Sequence, residues 1–278
     1  MVQRQGTLAA LRSPRYEVLP LDGIAERVAE HVPLDLTVTV TASPRKGLGA
    51  TLAVAERLAA QGRRGRVVPH LSARLISDQA ELKEILQRLA EAGIAEAFVV
   101  AGDAKEAAGC FHGALDLLVA MAELGHGLER IGITGYPERH PFIDDDVTIQ
   151  SMWDKRRYAT YIVSQLCFNP KTIAAWVRRV RRRGVDLPIH IGLPGPVDAA
   201  KLLRISSSIG VSESSRFARH HLTWLPHLLR PTGYRPTRLL AGLAGVLDDP
   251  DLQVAGLHLY TFNEVAGTEH WRQQLLRR

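Results

Sequence analysis

The sequence is poor in cysteine and contains no long hydrophobic run. Its 278 residues include two cysteines, Cys110 and Cys167, whose spacing matches neither a disulfide framework nor a C-x-x-C metal or redox motif. We therefore expect no metal site. No apolar stretch approaches the roughly 20 residues that a membrane-spanning helix requires. The apolar patch at Leu8–Leu11 is also shorter than the core of a secretory signal, about 7–15 residues. These absences predict a soluble, cytoplasmic protein that does not enter a membrane.

The charge is unbalanced toward the basic side, with a formal net charge of +6. The densest basic block, at 178–183, ends the helical pattern KTIAAWVRRVRRRG, where cations favour the helix dipole. No aromatic interleaving or nucleic-acid motif accompanies this block. The pattern therefore predicts a solvated helix end and no nucleic-acid partner, although a basic surface can also attract an anionic substrate.

Short β-branched segments alternate with helical patterns along the whole chain. The predicted strands are Tyr16–Leu19, Leu36–Thr41, Val67–Leu71, Ala97–Ala101, Arg130–Thr134, Thr160–Gln165, Leu187–Gly192 and Val254–Tyr260. The predicted helices are Gly23–His31, Ala50–Gln61, Asp78–Ala92, Gly113–Leu124, Thr148–Tyr158, Pro170–Arg183, Ala199–Ser207 and a longer helical region, Glu213–Leu247. Regular alternation with short connections predicts an α/β fold, a (β/α)₈ TIM barrel, in a single domain over residues 1–278. An open doubly wound sheet is the alternative.

Barrels carry their chemistry at the carboxyl ends of the strands, so the polar residues at those ends are the candidates. They are Glu17, Thr41, His70, Asp103, Tyr136, Glu138, His140, Gln165, Tyr260 and Asn263. We expect these side chains to converge on one mouth of the barrel.

Several of these residues also have a structural explanation. Glu17, in YEVLP, would be a buried carboxylate paired with an arginine or lysine. His70 would satisfy backbone groups, and Asp103 would cap the next helix. Gln165 would be buried against a neighbouring loop, whereas Gly102 indicates either a close ligand or an unusual backbone dihedral.

Read in order, the motifs YEVLP, VTVTAS, PHLSA, AGD, GYPERHP, SQLCF, PIHIGLPGPV and HLYTFN resemble the methylenetetrahydrofolate reductase family. The family pattern is approximately F-E-F-F-P-P, V-T-Y-G, P-H-L-T, L-R-G-D, G-Y-P-E-x-H-P, T-Q-x-F-F and H-x-Y-T-L-N. The resemblance extends from about Tyr16 to Asn263 in the family's order. Each motif is weak alone, and their order and spacing make the match specific.

The resemblance implies a reductase that interconverts 5,10-methylenetetrahydrofolate and 5-methyltetrahydrofolate, with hydride from NAD(P)H passed through FAD. It implies Glu17 as general acid, with Asp103 as the second catalytic residue. It assigns the folate substrate to Gln165, Asp103 and Tyr260. It assigns the cofactor to Thr41, His70, Gly102, Asp103, Tyr136, His140 and Lys155. Protonation by a desolvated carboxyl would open the folate's one-carbon bridge to an iminium cation that hydride can attack.

The sequence departs from the family pattern on the cofactor side. Ala101 stands where the family has arginine, and Ala42 and Ser43 replace Tyr-Gly. A site with fewer donors loses charge-assisted bonds to a pyrophosphate, so we expect FAD to be bound weakly or not at all, unless nearby cations such as Arg74, Lys105 or Lys155 compensate. Direct hydride transfer from NAD(P)H and a non-redox folate-binding accessory subunit are the alternatives. The choice between NADH and NADPH, the physiological direction, partner subunits and the oligomeric state stay open, a homo-oligomer included.

Overall fold

A computed structural model describes residues 5–42, 45–138, 144–197 and 236–277. Eight parallel strands, joined in sequence order, close into a barrel. They are β1 (Arg15–Val18), β2 (Thr37–Val40), β3 (Val67–Ser72), β4 (Glu96–Val100), β5 (Arg130–Gly135), β6 (Tyr161–Ser164), β7 (Ile189–Pro194) and β8 (Val254–Tyr260). Because β1 pairs with both β2 and β8, the sheet has no open edge, and the predicted barrel is confirmed over the doubly wound alternative. The predicted strand limits differ from these by two residues or fewer.

Helices surround the barrel. They are α1 (Gln5–Arg12), α2 (Ile24–His31), α3 (Gly47–Leu58), α4 (Gln79–Glu91), α5 (Ala114–Leu124), α6 (Asp145–Lys155), α7 (Pro170–Arg182), α8 (Thr237–Leu247) and α9 (Val265–Leu276). The sequence analysis missed α1 and α9. The helix predicted at Ala199–Ser207, and most of the longer region before α8, fall outside the described residues. The single domain over 1–278 stays a prediction for the same reason. Among the described helices, none is both long and apolar enough to cross a bilayer.

The strand residues alternate between two environments. Tyr16 and Val18 of β1 belong to the large apolar core between the barrel and its helices. Their neighbours Arg15 and Glu17 therefore point to the inside of the barrel, because successive side chains of a strand lie on opposite faces. This alternation places one acid, Glu17, on the inner face near the carboxyl end of β1.

The basic block at the end of α7 makes more intramolecular contacts than a solvated helix end would. Arg179 Nε lies 2.8 Å from Asp145 Oδ2, and Arg183 pairs with Asp146. Arg181 donates hydrogen bonds to backbone carbonyls of two neighbouring loops. The prediction of a solvated end is therefore confirmed for Arg183, which is exposed, and wrong for Arg179 and Arg181, which hold α7 against adjacent elements.

A buried ion pair crosses the barrel interior below Glu17. Arg15 Nη2 donates to Glu96 Oε1 at 2.5 Å and to the Tyr161 hydroxyl at 3.0 Å. The Arg15 and Glu96 side chains are 3% and 6% exposed. A protein with such a pair is often no more stable than one with apolar residues at both positions. Removing only one partner is destabilising, because the other charge stays buried without a counter-ion.

We predict that Glu96→Leu destabilises the protein by about 3–5 kcal/mol because Arg15 then lacks its buried counter-ion. The double variant Arg15→Met/Glu96→Leu should recover most of that loss, since both charges are gone. Urea unfolding of the wild type, both single variants and the double variant measures the coupling. Additive losses in the double variant would contradict the role of the pair.

Candidate active site

Three strands bring their inward side chains together at the upper part of the barrel interior. Glu17 comes from β1, His70 from β3 and His258 from β8. β1 and β8 are hydrogen-bonded neighbours, in a register that places Arg15 opposite His258 and Glu17 opposite Tyr260. The cluster therefore lies toward the carboxyl ends of the strands, where barrel proteins carry their chemistry.

The partners of Glu17 are imidazoles. Its Oε2 atom lies 2.9 Å from His258 Nε2 and 3.7 Å from His70 Nε2. The Glu17 side chain is 15% exposed and that of His258 is 1% exposed. The alternative of a carboxylate paired with arginine or lysine is therefore wrong, and so is the idea that His70 serves backbone groups, since its Nε2 has no hydrogen-bond partner in the described structure.

Burial sets the protonation state of this cluster. It raises the pKa of Glu17 from 4.5 to about 7, against a smaller opposing effect from the charge of His70. Burial, with a smaller effect from the charge of Arg15, lowers the pKa of His258 to about 3. It also lowers the pKa of His70 to about 4, although the charge of Glu17 acts in the opposite direction. Near neutral pH, Glu17 is thus a carboxylic acid in large part, surrounded by neutral imidazoles. A carboxyl with a pKa near the working pH is suited to general acid catalysis.

The turn after β8 holds the end of β1 in place. Thr261 Oγ1 donates to the Glu17 carbonyl at 2.6 Å. The Asn263 side chain accepts from the Leu19 amide at 2.8 Å and donates to its carbonyl at 3.1 Å. Phe262 and Asn263 both have a positive φ, of 50° and 58°, a strained conformation typical of functional sites. Asn263, predicted as a strand-end candidate, is buried and fixes the backbone that carries Glu17.

Two tyrosines, Tyr260 and Tyr136, lie between Glu17 and Asp103. Burial raises the pKa of Tyr260, and the charge of Glu17 and the proximity of Tyr136 add to this. The pKa of Tyr136 is likewise raised by burial, lowered by its hydrogen bond with Thr134 and raised by the charge of Asp103. These mutual effects show that Tyr260 lies near Glu17 and Tyr136, and that Tyr136 lies near Asp103. The Tyr260 hydroxyl donates to the Ser164 carbonyl at 3.1 Å.

Gln165 stands at the end of β6 with its side chain exposed. Its Oε1 accepts only a long 3.4 Å bond from the Leu166 amide, so the buried structural glutamine of the alternative explanation is wrong. An apolar group lies beside it, formed by Leu166, Phe168, Val197, Tyr260 and Phe262. An exposed amide next to an apolar wall is suited to a planar heterocycle with polar edges.

The loop after β4 gives Gly102 and Asp103 different roles. Gly102 has φ +91°, and a Cβ there would lie 1.8 Å from Ser72 Oγ, so packing alone requires glycine. Asp103 is exposed and does not cap a helix, because α5 begins only at Ala114, after Gly113. The helix-cap explanation of Asp103 is therefore wrong, and its carboxylate is presented at the mouth.

The remaining cofactor candidates are less closely joined to the cluster. The Thr41 hydroxyl is buried without a partner in the described structure, and its carbonyl accepts from Thr51 at 2.8 Å. Lys155 ends α6, and its carbonyl accepts hydrogen bonds from the amides of Tyr158 and Ala159. Its backbone therefore lies near the start of β6, whereas Gln165 follows the other end of that strand. His140 lies outside the described residues. These assignments stay predictions.

Sequence reasoning missed His258, the nearest partner of Glu17. The signal was present, since His258 and Tyr260 are two residues apart in one strand and must share a face. It also missed His190 of β7, which is buried and has neither ring nitrogen bonded within the described structure. Glu138, a strand-end candidate, accepts a hydrogen bond from the Cys167 thiol at 3.3 Å.

The described side chains fit a flavin dinucleotide poorly and form no metal centre. No group of three or more histidine, cysteine or acidic residues in the described ranges is arranged to hold a metal ion. In the loop after β4, Ala101 supplies no charged donor and Asp103 adds a negative charge, which is unfavourable for binding a pyrophosphate. The Arg74 guanidinium donates to the loop carbonyls of Ala104 and His112, at 2.9 and 3.1 Å.

The fold and this cluster define a (β/α)₈-barrel protein with a buried carboxyl–imidazole cluster toward the carboxyl ends of its strands. The family model for methylenetetrahydrofolate reductase matches residues 20–218, more than half of the sequence. The chain therefore belongs to the methylenetetrahydrofolate reductase family, which confirms the resemblance found in the sequence.

A curated relative is methylenetetrahydrofolate reductase 2 of Saccharomyces cerevisiae, 28% identical over 139 residues. The match covers 48% of this chain and 22% of the yeast protein, so the chain spans only part of that relative's length. Two solved structures from Burkholderia cenocepacia J2315 are also similar. One, provisionally named a phosphonomutase, is 12% identical with a TM-score of 0.46, over 68% of this chain and 81% of its own. The other, provisionally named a lyase/mutase, is 16% identical with a TM-score of 0.47, and the match covers 97% of this chain and 82% of its own.

The raised pKa of Glu17 predicts a specific dependence of stability on pH. A carboxyl whose pKa is higher in the folded protein binds its proton more tightly in that state, and this binding stabilises the fold. The stabilisation is lost as the pH rises from 4.5 through about 7. Glu17→Gln replaces the carboxyl by an uncharged amide of nearly the same shape as the protonated acid. The variant should match the wild type at about pH 5 and exceed it by about 2–4 kcal/mol at about pH 8.

Urea unfolding of both proteins at the two pH values measures this difference. Glu123→Gln, at an exposed site on α5, is the matched control and should show no such change. A Glu17→Gln effect that is the same at both pH values would contradict a raised pKa.

Proposed function

We propose that this protein reduces 5,10-methylenetetrahydrofolate to 5-methyltetrahydrofolate, or runs the same reaction in reverse, with NAD(P)H as the source of hydride. The proposal depends on the position and pKa of Glu17 in a chain that belongs to this family. Glu17 is a carboxyl at the barrel mouth whose pKa of about 7 leaves it substantially protonated at neutral pH.

The chemistry of the substrate explains why a proton is needed. The one-carbon unit bridges two nitrogens, and the Glu17 carboxyl donates its proton to the nitrogen that leaves. The carbon–nitrogen bond then breaks to give an iminium cation, and Glu17 becomes a carboxylate that stabilises this cation electrostatically. Hydride adds to the iminium carbon and completes the methyl group. One proton and one hydride are consumed for each methyl group formed.

The other residues at the mouth serve binding in this proposal. The exposed amide of Gln165 pairs with a polar edge of the pterin, and the apolar wall beside it covers the ring. Asp103 orients the pterin from the opposite loop, and Tyr260, next to Glu17, lines the substrate position. Tyr136 lies between Tyr260 and Asp103.

The route of the hydride has two versions. FAD as an intermediate carrier is the usual property of the family. Direct transfer from the nicotinamide to the folate is favoured by one observation, the alanine at position 101 where the family pattern has arginine. A non-redox accessory subunit is disfavoured because it would not need a buried acid with a raised pKa.

We predict that Glu17→Gln lowers turnover of methylenetetrahydrofolate by roughly 10²–10⁴-fold, the usual effect of losing a general acid. Folate binding should persist, since the amide keeps the shape of the neutral acid. Steady-state consumption of NADH or NADPH measures turnover, and calorimetry measures binding. Glu123→Gln is the surface control. Near-normal turnover by Glu17→Gln would remove Glu17 from the mechanism.

We also predict that the protein purified without added cofactor contains little flavin. Compared with a site that has arginine at position 101, the lost charged hydrogen bond costs about 1.5–3 kcal/mol, or about 10–150-fold in affinity. Visible absorbance of the purified protein and calorimetric titration with FAD measure this. Ala101→Arg should tighten FAD binding. Stoichiometric flavin that survives dialysis of the wild type would contradict the prediction.

A further inference from the structure

The two oxygens of the Glu17 carboxyl have different surroundings. Oε2 faces the imidazoles of His258 and His70, at 2.9 and 3.7 Å. Oε1 makes no hydrogen bond with any residue in the described ranges, and it is not among their fully buried unpartnered atoms. An acid that protonates a molecule at the mouth must carry its proton on the oxygen that the imidazoles leave free.

The tautomer of His258 decides which oxygen that is. If Nε2 carries the ring proton, it donates to Oε2, and the acid proton of Glu17 stays on Oε1. If Nδ1 carries the ring proton, Glu17 donates from Oε2 to Nε2, and its proton points into the barrel. The two states contain the same atoms and differ in the positions of two protons, which reverses the direction of the hydrogen bond between Glu17 and His258.

The surroundings of Nδ1 favour the first state. Nδ1 of His258 is buried and has no hydrogen-bond partner in the described part of the chain. A proton there would be a buried donor without an acceptor, whereas a bare nitrogen leaves only an unfilled acceptor, which proteins tolerate better. The ring is also fixed in place, edge-on to Tyr260 with 5.0 Å between the ring centroids.

We propose that His258 is a positioning residue that donates its Nε2 proton to Oε2 of Glu17 and so keeps the acid proton on Oε1, toward the substrate. The inference rests on the proposed function of Glu17. When Oε1 gives its proton to the leaving nitrogen, the Nε2–H bond remains and becomes charge-assisted, which stabilises the new carboxylate. Water reaching the partly exposed side chain restores the proton after the product leaves.

Two substitutions separate the effect of the hydrogen bond from His258 from the effect of the space that its side chain fills. His258→Gln retains an N–H donor, whereas His258→Leu fills the space without one. Turnover by His258→Leu should fall roughly 10–100-fold, with little change in the KM for folate, because a misdirected acid affects the chemical step. His258→Gln should retain most of the kcat. The control is His270→Leu, on the exposed face of α9, which should leave turnover unchanged.

A measurement that needs no turnover tests the hydrogen bond directly. ¹⁵N NMR of protein labelled at histidine reports which ring nitrogen carries the proton. The ring signals of His258 are identified as those that disappear in the His258→Gln variant. We expect a protonated Nε2 and a bare Nδ1. The reverse tautomer overturns the proposal, as does a His258→Leu variant as active as the wild type or a His258→Gln variant as impaired as His258→Leu. If the wild type does not turn over methylenetetrahydrofolate, the proposed function fails, while the NMR result still decides the direction of the bond.

Discussion

The burial of one carboxyl among neutral imidazoles governs the chemistry of this barrel. The Glu17 pKa can rise only if the histidines beside it are uncharged, because a cationic imidazole would hold the carboxylate ionised. Burial keeps His70 and His258 neutral, and the charge of Arg15 beneath them lowers their pKa values further. Arg15 is in turn held by Glu96. A structural ion pair thus contributes to keeping the imidazoles above it neutral.

The backbone around this cluster is fixed from two directions. β1 is hydrogen-bonded to β2 on one side and to β8 on the other, so closure of the barrel sets the position of Glu17. The strained turn at Thr261–Asn263 then holds the carboxyl end of β1 through the Glu17 and Leu19 backbones.

The parts that the sequence predicted are those with a simple periodic signal. Alternating strands and helices gave the barrel, and strand-end position gave Glu17 and Tyr260. His258 was missed although it shares a face with Tyr260, because only the pairing of β8 with β1 brings it beside Glu17. The last helix, α9, was missed for a different reason. Its inner face includes the polar residues Glu269 and Arg272, which bond each other while Glu269 also bonds the Tyr16 hydroxyl, so its hydrophobic periodicity is weak.

The most direct test of the central claim is the titration of the Glu17 side chain itself. ¹³C NMR of protein labelled at the glutamate carboxyl carbons, with the Glu17 signal identified by its loss in Glu17→Gln, follows this one group in the folded wild type. A buried acid among neutral imidazoles should titrate with a pKa of about 7. A midpoint at the ordinary value of 4.5 would show that Glu17 is ionised at neutral pH and would contradict its role as the proton donor.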